Sequence, residues 1–255
     1  MAYIGNLAAG QSIIADSNRK LIQSYSSLPA SGDYTWIPSG VGPYSNQGSA
    51  GSANATAGTV TTTSSPGLWS SGRTGLRGYS TNSASDAVLN ASNTFSAAWQ
   101  SSSFTIEVYM QVDYEQVVVA GKSFALVFND FGIGANAIYI SGTTGSTPQG
   151  HTLEVWRGAV QVATGGITAG LMNSRPVHIA VVLDRTTPSA VTCTAYVDGL
   201  VAATLSLGSL AAFTNPFTQV NIMLGGAGIV GWVNLTSSAK SAAQIRANTL
   251  LLKGA

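Results

Sequence analysis

The stretch TAYVDGLVAATLSL, Thr194 to Leu207, leaves the chain little choice of local structure. A strand-like run of uncharged residues flanks Asp198-Gly199 on each side. Asp-Gly is the pair that a two-residue type I′ turn calls for, because both central residues of that turn have positive φ. The stretch is therefore a β-hairpin, and its pattern recurs from about residue 102 onward. SFTIEVYMQV places Phe104, Ile106, Val108 and Met110 on one face of a strand. FALVFND and NAIYISG flank the glycine-rich FGIGA as a hairpin with a longer loop. HTLEVWRGAVQVAT reads as two short strands about Arg157-Gly158, and VHIAVVLD and AVTCTAYVDG follow across the polar loop RTTPSA. Short strands repeating every ~8–12 residues predict an antiparallel sandwich, not a βαβ sheet. The end of the chain differs: in SAAQIRANTLLLK, Ser241 stands as an N-cap before good helix formers, which predicts a short C-terminal helix.

Residues 1–54 read as a separate N-terminal arm and residues 55–255 as the sandwich domain. Within the arm, ADSNRKLIQSY holds one or two turns of helix, and the Gly-, Ser-, Asn- and Pro-rich run that follows is loop-like. Yet Tyr3, Ile4, Ile13, Ile14, Leu21, Ile22, Tyr25, Tyr34, Trp36 and Tyr44 make it too apolar and aromatic for a solvated tail. Such an arm packs along its own domain or on a neighbouring subunit. The neighbour is the favoured destination, with Tyr3, Ile4, Tyr34 and Trp36 as the assembly contacts.

Composition narrows the partners. Only 8% of residues are charged and the formal net charge is +1, against a usual charged fraction of about 25%. Basic residues are scattered, so nothing steers the chain to nucleic acid or an anionic membrane. No run approaches the ~18 apolar residues of a membrane span, and no signal-peptide pattern opens the chain. So little net charge also does little to oppose self-association, and a homo-oligomer is expected. Cys193, the single cysteine, sits in an apolar run and is expected to be a buried, inert thiol.

The search for chemistry returns little. A glycosidase needs two carboxylates flanking the scissile bond, and the chain has three glutamates: Glu107, Glu115 and Glu154. Asp113 and Glu115 form the one acidic pair at i, i+2, in VDYEQ, which looks like a solvated strand end. There is no G-x-S-x-G or H-E-x-x-H motif, and neither His151 nor His178 has an evident triad partner. The loops FGIGA and LGGAGIVG open no helix after a strand and are tight turns, not phosphate cradles. Calcium needs about six to eight oxygens, and Asn129-Asp130, with Asp113 as a remote addition, falls short of that set. The expectation is a non-enzymatic protein with no cofactor, no metal and no catalytic residues. Among the tryptophans, Trp99 and Trp232 look like core and Trp36 and Trp69 fall in loop-like sequence. Trp156, beside Arg157 at a hairpin turn, is a candidate for packing, interface or sugar stacking. Trp156, Arg157 and Asp130 are the candidate ligand-binding residues.

Four segments in order, SSFTIEVYMQV (102–112), RPVHIAVVLD (175–184), CTAYVDGLVAATLSL (193–207) and IMLGGAGIVGWVNLTSSAKSAAQI (222–245), resemble the framework of laminin G-like domains. His178 falls where that family's WHHVAV strand has its second histidine, and AYVDG matches its LYVDG hairpin. TGLRGYSTNSASDAVLN (74–90) resembles the preceding strands more loosely. The chain departs from the pattern at Pro176-Val177 and near Gly231-Trp232, where an acidic residue is replaced. The resemblance spans about residues 60–250 and implies an all-β, antiparallel sandwich of the concanavalin A-like jelly-roll class, with an irregular N-terminal arm and a short C-terminal helix. The opening MAYIGN is similar to the start of bacteriophage tail-fibre and adhesion proteins. That similarity implies a virion protein, made in the host cytoplasm without a signal peptide. Three functions follow in order of preference. The first is a structural or adhesion component of a phage particle, a capsid decoration or tail fibre, docked through its arm on other virion proteins or on itself. The second is a carbohydrate-binding, lectin-like module that recognises host surface glycans. The third is a glycosidase of the same fold class.

Overall fold

The computed structural model describes residues 13–14, 22–23, 28–38, 42–57, 61–65, 75–79, 87–92, 95–112, 122–130, 136–143, 151–167, 175–224 and 227–254. Ile13–Ile14 (β1) and Ile22–Gln23 (β2) pair with each other. Tyr34–Trp36 (β3), Ala55–Ala57 (β4), Thr61–Ser65 (β5), Gly75–Tyr79 (β6) and Ala87–Ser92 (β7) follow. After a 3-10 turn at Ala97–Gln100 come Phe104–Val112 (β8), Lys122–Asn129 (β9), Ala137–Thr143 (β10), His151–Arg157 (β11) and Val160–Ile167 (β12). Pro176–Asp184 (β13), Val191–Val197 (β14), Leu200–Gly208 (β15), Gln219–Leu224 (β16) and Ala227–Thr236 (β17) complete the strands, and Ala242–Lys253 (α1) closes the chain.

Apart from the β1-β2 pair, the strands form two antiparallel sheets. One has seven strands in the order β12-β11-β10-β9-β16-β7-β4; the other runs β15-β14-β13-β8-β17-β6-β5, with β3 added beside β17. The expected alternation holds: Phe104, Ile106, Val108 and Met110 all enter the main core between the sheets. That core includes an aromatic knot of Tyr34, Phe95, Trp99, Phe104, Phe128 and Phe217, in which Phe128 and Phe217 stack with ring centroids 4.1 Å apart. Cys193 lies inside the core, and burial pushes its thiol up to about 12, so it stays protonated and inert.

The fold corrects the reading of the arm. Tyr34 and Trp36 are not docking residues, because β3 pairs with β17 in the register Tyr34↔Leu235 and Trp36↔Val233. Trp36 is fully buried, and its indole Nε1 donates to the Ala53 carbonyl at 2.8 Å. Asn46 holds the following loop in place. Its Oδ1 accepts from the Thr35 and Gly48 amides at 2.7 and 2.8 Å, and its Nδ2 donates to the carbonyls of Asp33 and Gly51. Tyr44 bridges Ala55, so residues on both sides of position 54 belong to one sandwich. Tyr3 and Ile4 lie outside the described residues.

Helix α1 starts as expected at Ser241, whose hydroxyl accepts from the Gln244 amide in a capping box, and it stops at Gly254 in a left-handed C-cap. It covers the outer face of the eight-stranded sheet. Leu252 packs with Tyr109, Ile229 and Trp232, and Ile245 packs with Ala180, Val182 and Tyr196. Trp232 is core as expected, in this second layer beneath the helix. The Asp198-Gly199 turn has the predicted pair of positive φ angles, 53° and 79°. A side chain at Gly199 would also meet the helix, since a Cβ there would lie 3.1 Å from Arg246 Cα. Asp198 does more than turn the chain. Its carboxylate accepts from the His178 amide, from Arg175 at 2.6 Å and from Lys253 at 2.7 Å, tying the hairpin to the end of α1. Burial opposes ionisation of Asp198, but these donors more than offset it and hold its carboxyl below the ordinary range.

Under the same helix lies a buried ionic cluster centred on Glu107, which is fully buried. Lys240 Nζ pairs with its Oε2, Asn248 Nδ2 donates to its Oε1 at 2.7 Å, and Asn234 Nδ2 donates to Oε2 at 3.3 Å. His178 Nε2 stands 3.4 Å from Oε1, while His178 Nδ1 bonds the Thr249 hydroxyl of the helix at 2.7 Å. Burial alone would raise the Glu107 carboxyl, yet the His178 contact and the Lys240 charge bring it down to about 2.

Candidate functional site

The outward face of the seven-stranded sheet is polar toward β11 and β12 and carries a buried apolar patch of Ala87, Val127 and Leu224 packed with Tyr139. Along β11 this follows from alternation: Leu153 and Val155 enter the core, so Thr152, Glu154 and Trp156 face away from it. Register then sets three rows across the sheet. One runs Thr164, Glu154, Tyr139, Val127, Asn221, Asn90, Thr56. Beside it runs Gln161, Trp156, Ala137, Asn129, Gln219, Ser92. A third begins Gly166, Thr152, Ser141.

Glu154 organises this face. Its Oε1 accepts from Ser141 Oγ at 2.9 Å and Thr152 Oγ1 at 3.1 Å, and its Oε2 accepts from Trp156 Nε1 and Gln161 Nε2, both at 3.0 Å. A carboxylate that accepts the indole N–H fixes the orientation of the tryptophan ring. Tyr139 lies next to it, ring centroids 6.4 Å apart at 49°. Burial, then the carboxylates of Glu154 and Asp130, raise the Tyr139 phenol, which keeps it protonated and able to donate. Further along, Asn90 Nδ2 donates to Asn221 Oδ1, and Asn221 Nδ2 donates to Gln219 Oε1 at 3.3 Å. The result is an aromatic pair beside a field of amides and hydroxyls.

The sequence-derived candidates fall around this face in three ways. Trp156 belongs to it, half-buried on β11. The turn itself is Gly158-Ala159, with φ of 56° and 64°, one residue later than Arg157-Gly158. Arg157 points elsewhere and donates from Nε to the Ala212 carbonyl at 2.8 Å. Asp130 is fully buried and closes the loop ahead of β10. Its Oδ1 accepts from the Asn136 amide at 2.7 Å, and its Oδ2 accepts from Asn136 Nδ2 at 2.9 Å and Asn215 Nδ2 at 3.3 Å. Asn136 Oδ1 in turn accepts from the Gly158 amide at 3.0 Å, so this network braces the hairpin that carries Trp156. Among the described residues no three His, Cys, Asp or Glu side chains gather as a metal site. Asp113, Glu115 and Trp69 lie outside the described residues.

The sequence does not point to Tyr139 or Gln161, and it brings forward Glu154 only as a glutamate for glycosidase chemistry and Asn129 only beside Asp130 as a calcium ligand. For Glu154 a signal lies in HTLEVWR, where polar or aromatic side chains alternate with Leu153 and Val155. Which neighbouring strands complete the face is information that one strand does not carry. His151, at the start of β11, turns inward and is buried with neither ring nitrogen partnered; burial lowers its basicity, so it stays neutral.

Two stacked antiparallel sheets in this order, with a short terminal helix on one outer face, define a jelly-roll β-sandwich. Solved structures share the architecture. The binding domain of botulinum neurotoxin serotype G superposes at a TM-score of 0.61 with 10% identity, over 86% of this chain and 51% of that one. The binding domain of Paraclostridial Mosquitocidal Protein 1 gives 0.57 and 15%, over 85% and 52%. A Trypanosoma rangeli sialidase gives 0.57 and 14%, over 86% and 32%. The chain thus spans about half the length of the two toxin domains and about a third of the sialidase. No protein-family model matches the sequence, and a search of curated proteins returns no match.

Proposed function

We propose that this protein is a non-catalytic, glycan-binding module of lectin-like type that takes a sugar on the outward face of its seven-stranded sheet. The observation that carries the reading is the Glu154 carboxylate holding both the Trp156 indole and the Gln161 amide, beside Tyr139. A pyranose presents an apolar face and a rim of hydroxyls. A fixed aromatic pair flanked by hydroxyls and amides offers the complement of both. The structural likeness to toxin binding domains and to a sialidase supports the lectin-like alternative over an arm-docked structural role, whose anchors Tyr34 and Trp36 are used within the sandwich. Binding without turnover is favoured because glycosidases act with a pair of carboxylates, and Glu154 is the acid in these rows among the described residues. The likeness of MAYIGN to phage adhesion proteins supports a setting on a virion that meets host glycans.

The test is a glycan array with the full chain, followed by titration of the best ligand against Trp156→Ala and Glu154→Gln. Trp156→Ala is expected to weaken binding by about tenfold or more, the loss of a central aromatic contact. Because Trp156 is only half-buried, its thermal midpoint should stay within about 5 °C of the parent. Binding that survives both substitutions would place the sugar elsewhere, and release of free sugar from a bound glycan would reinstate the glycosidase.

A further inference from the structure

Two arginines converge on one short ledge of backbone beside the β11-β12 turn. Arg157 ends β11, and its Nε donates to the Ala212 carbonyl at 2.8 Å. Arg185 follows β13. Its Nη1 donates to the Leu210 carbonyl at 2.6 Å and its Nη2 to the Ala211 carbonyl at 3.3 Å. Three consecutive carbonyls therefore hold both guanidiniums in one place, and Phe213 supports the second, with Arg185 Cζ 5.3 Å from the ring centroid. Burial, then the charge of Arg157, lowers the basicity of Arg185, so each cation stands in the field of the other.

Among the described residues, the other cations that find carboxylates find them elsewhere: Arg175 and Lys253 close on Asp198, and Lys240 closes on Glu107. Arg157 and Arg185 meet backbone carbonyls instead. Asp184, next to Arg185, turns its Oδ1 to the amide and hydroxyl of Thr186, and the oxygens of Asp130 are taken by Asn136 and Asn215. The ledge is open to solvent, since Ala211 and Ala212 are exposed and carry only methyl groups, and both arginines are partly exposed. Arg157 spends its Nε–H on the protein, which leaves both of its Nη groups to donate outward. Guanidinium forks match the oxygens of carboxylate, sulfate and phosphate groups, and two held together without a counter-charge favour such a group between them.

We infer that Arg157 and Arg185 form an oxyanion site beside the β11-β12 turn, and that it takes a carboxylate or sulfate group carried on a saccharide. The anion accepts from the outward Nη groups while the Leu210–Ala212 carbonyls keep the guanidiniums in position. The oxyanion chemistry stands on the two arginines; the saccharide carrier rests on the glycan-binding reading above.

The experiment titrates the full chain with sodium sulfate, and with sodium chloride at equal ionic strength, while the side-chain Nε–H resonances of Arg157 and Arg185 are followed. Saturable shifts of both with sulfate and not with chloride are expected, because screening alone acts equally in the two salts. An array divided into sialylated or uronic, sulfated and neutral glycans then identifies the carrier: retention of the first group assigns a carboxylate and of the second a sulfate. Arg157→Gln is expected to weaken binding of the retained glycan about tenfold or more, and Arg157→Lys, which keeps the charge and loses the fork, to restore only part of it. Resonances that sulfate leaves unshifted overturn the site whatever the array shows, and since they are read on the unsubstituted protein, folding of a variant does not enter. Binding confined to neutral glycans overturns the saccharide carrier and leaves the glycan-binding reading intact. Sulfate shifts with no glycan bound support the oxyanion site and defeat the glycan-binding reading, so the two failures are distinct.

Discussion

Removing residues 1–54 is expected to abolish cooperative folding of residues 55–255. The truncation deletes β3 from the eight-stranded sheet, leaves the Val233–Leu235 edge of β17 without its partner, and empties the core of Trp36, Tyr34 and Tyr44. Replacing one buried tryptophan by alanine typically costs about 3–5 kcal/mol, and a whole domain is stable by only about 5–15 kcal/mol. Trp36→Ala in the full chain therefore takes a large part of the stability, and the truncation takes more. Urea denaturation followed by circular dichroism measures both: a lower midpoint for Trp36→Ala, and no cooperative transition for 55–255. A truncated protein that unfolds with the parent's midpoint would restore the arm as a separate docking segment.

Acid should unfold the protein through Glu107. A carboxyl held at about 2 in the folded state and near its ordinary 4.5 when unfolded binds fewer protons when folded. Its stabilisation is present above pH 4.5 and is lost as the pH falls toward 2. Linkage sets the size at about 3 kcal/mol, from 1.36 kcal/mol per unit. Glu107→Gln keeps the shape but leaves Lys240 without its counter-charge under α1, a change expected to cost about 3–5 kcal/mol at neutral pH. The variant's stability should then fall less than the parent's between pH 4.5 and 2. Denaturation midpoints measured across that range decide the matter: parallel curves for the two proteins would remove Glu107 from the acid response. His151 acts in a higher window. Its lowered basicity means the unfolded chain takes up a proton first, so stability declines once the pH falls below about 6.5 and stops declining below the folded value.

Much of the framework was legible because it is local. The Asp198-Gly199 turn, the alternation from Phe104 to Met110 and the Ser241 cap each depend on a few adjacent residues whose backbone and burial preferences agree. The placement of Tyr34 and Trp36 is not legible, for the opposite reason. Tyr34-Thr35-Trp36 is three residues set in Gly, Ser, Asn and Pro, with no alternation long enough to mark a strand. Its strand character comes from β17, about 200 positions away in sequence. Asp130 was nominated because its residue type can ligate; in the fold, amide donors from Asn136 and Asn215 occupy it.

The same division runs through the functional face. That Thr152, Glu154 and Trp156 share one side of a strand follows from their spacing, because a pleated backbone sends alternate side chains to opposite faces. That Tyr139, Ala137, Asn129 and Gln219 lie beside them comes from the strand order of the folded sheet. Strand order and register are set by which segments bury their apolar faces together, and that choice is made by the whole core at once.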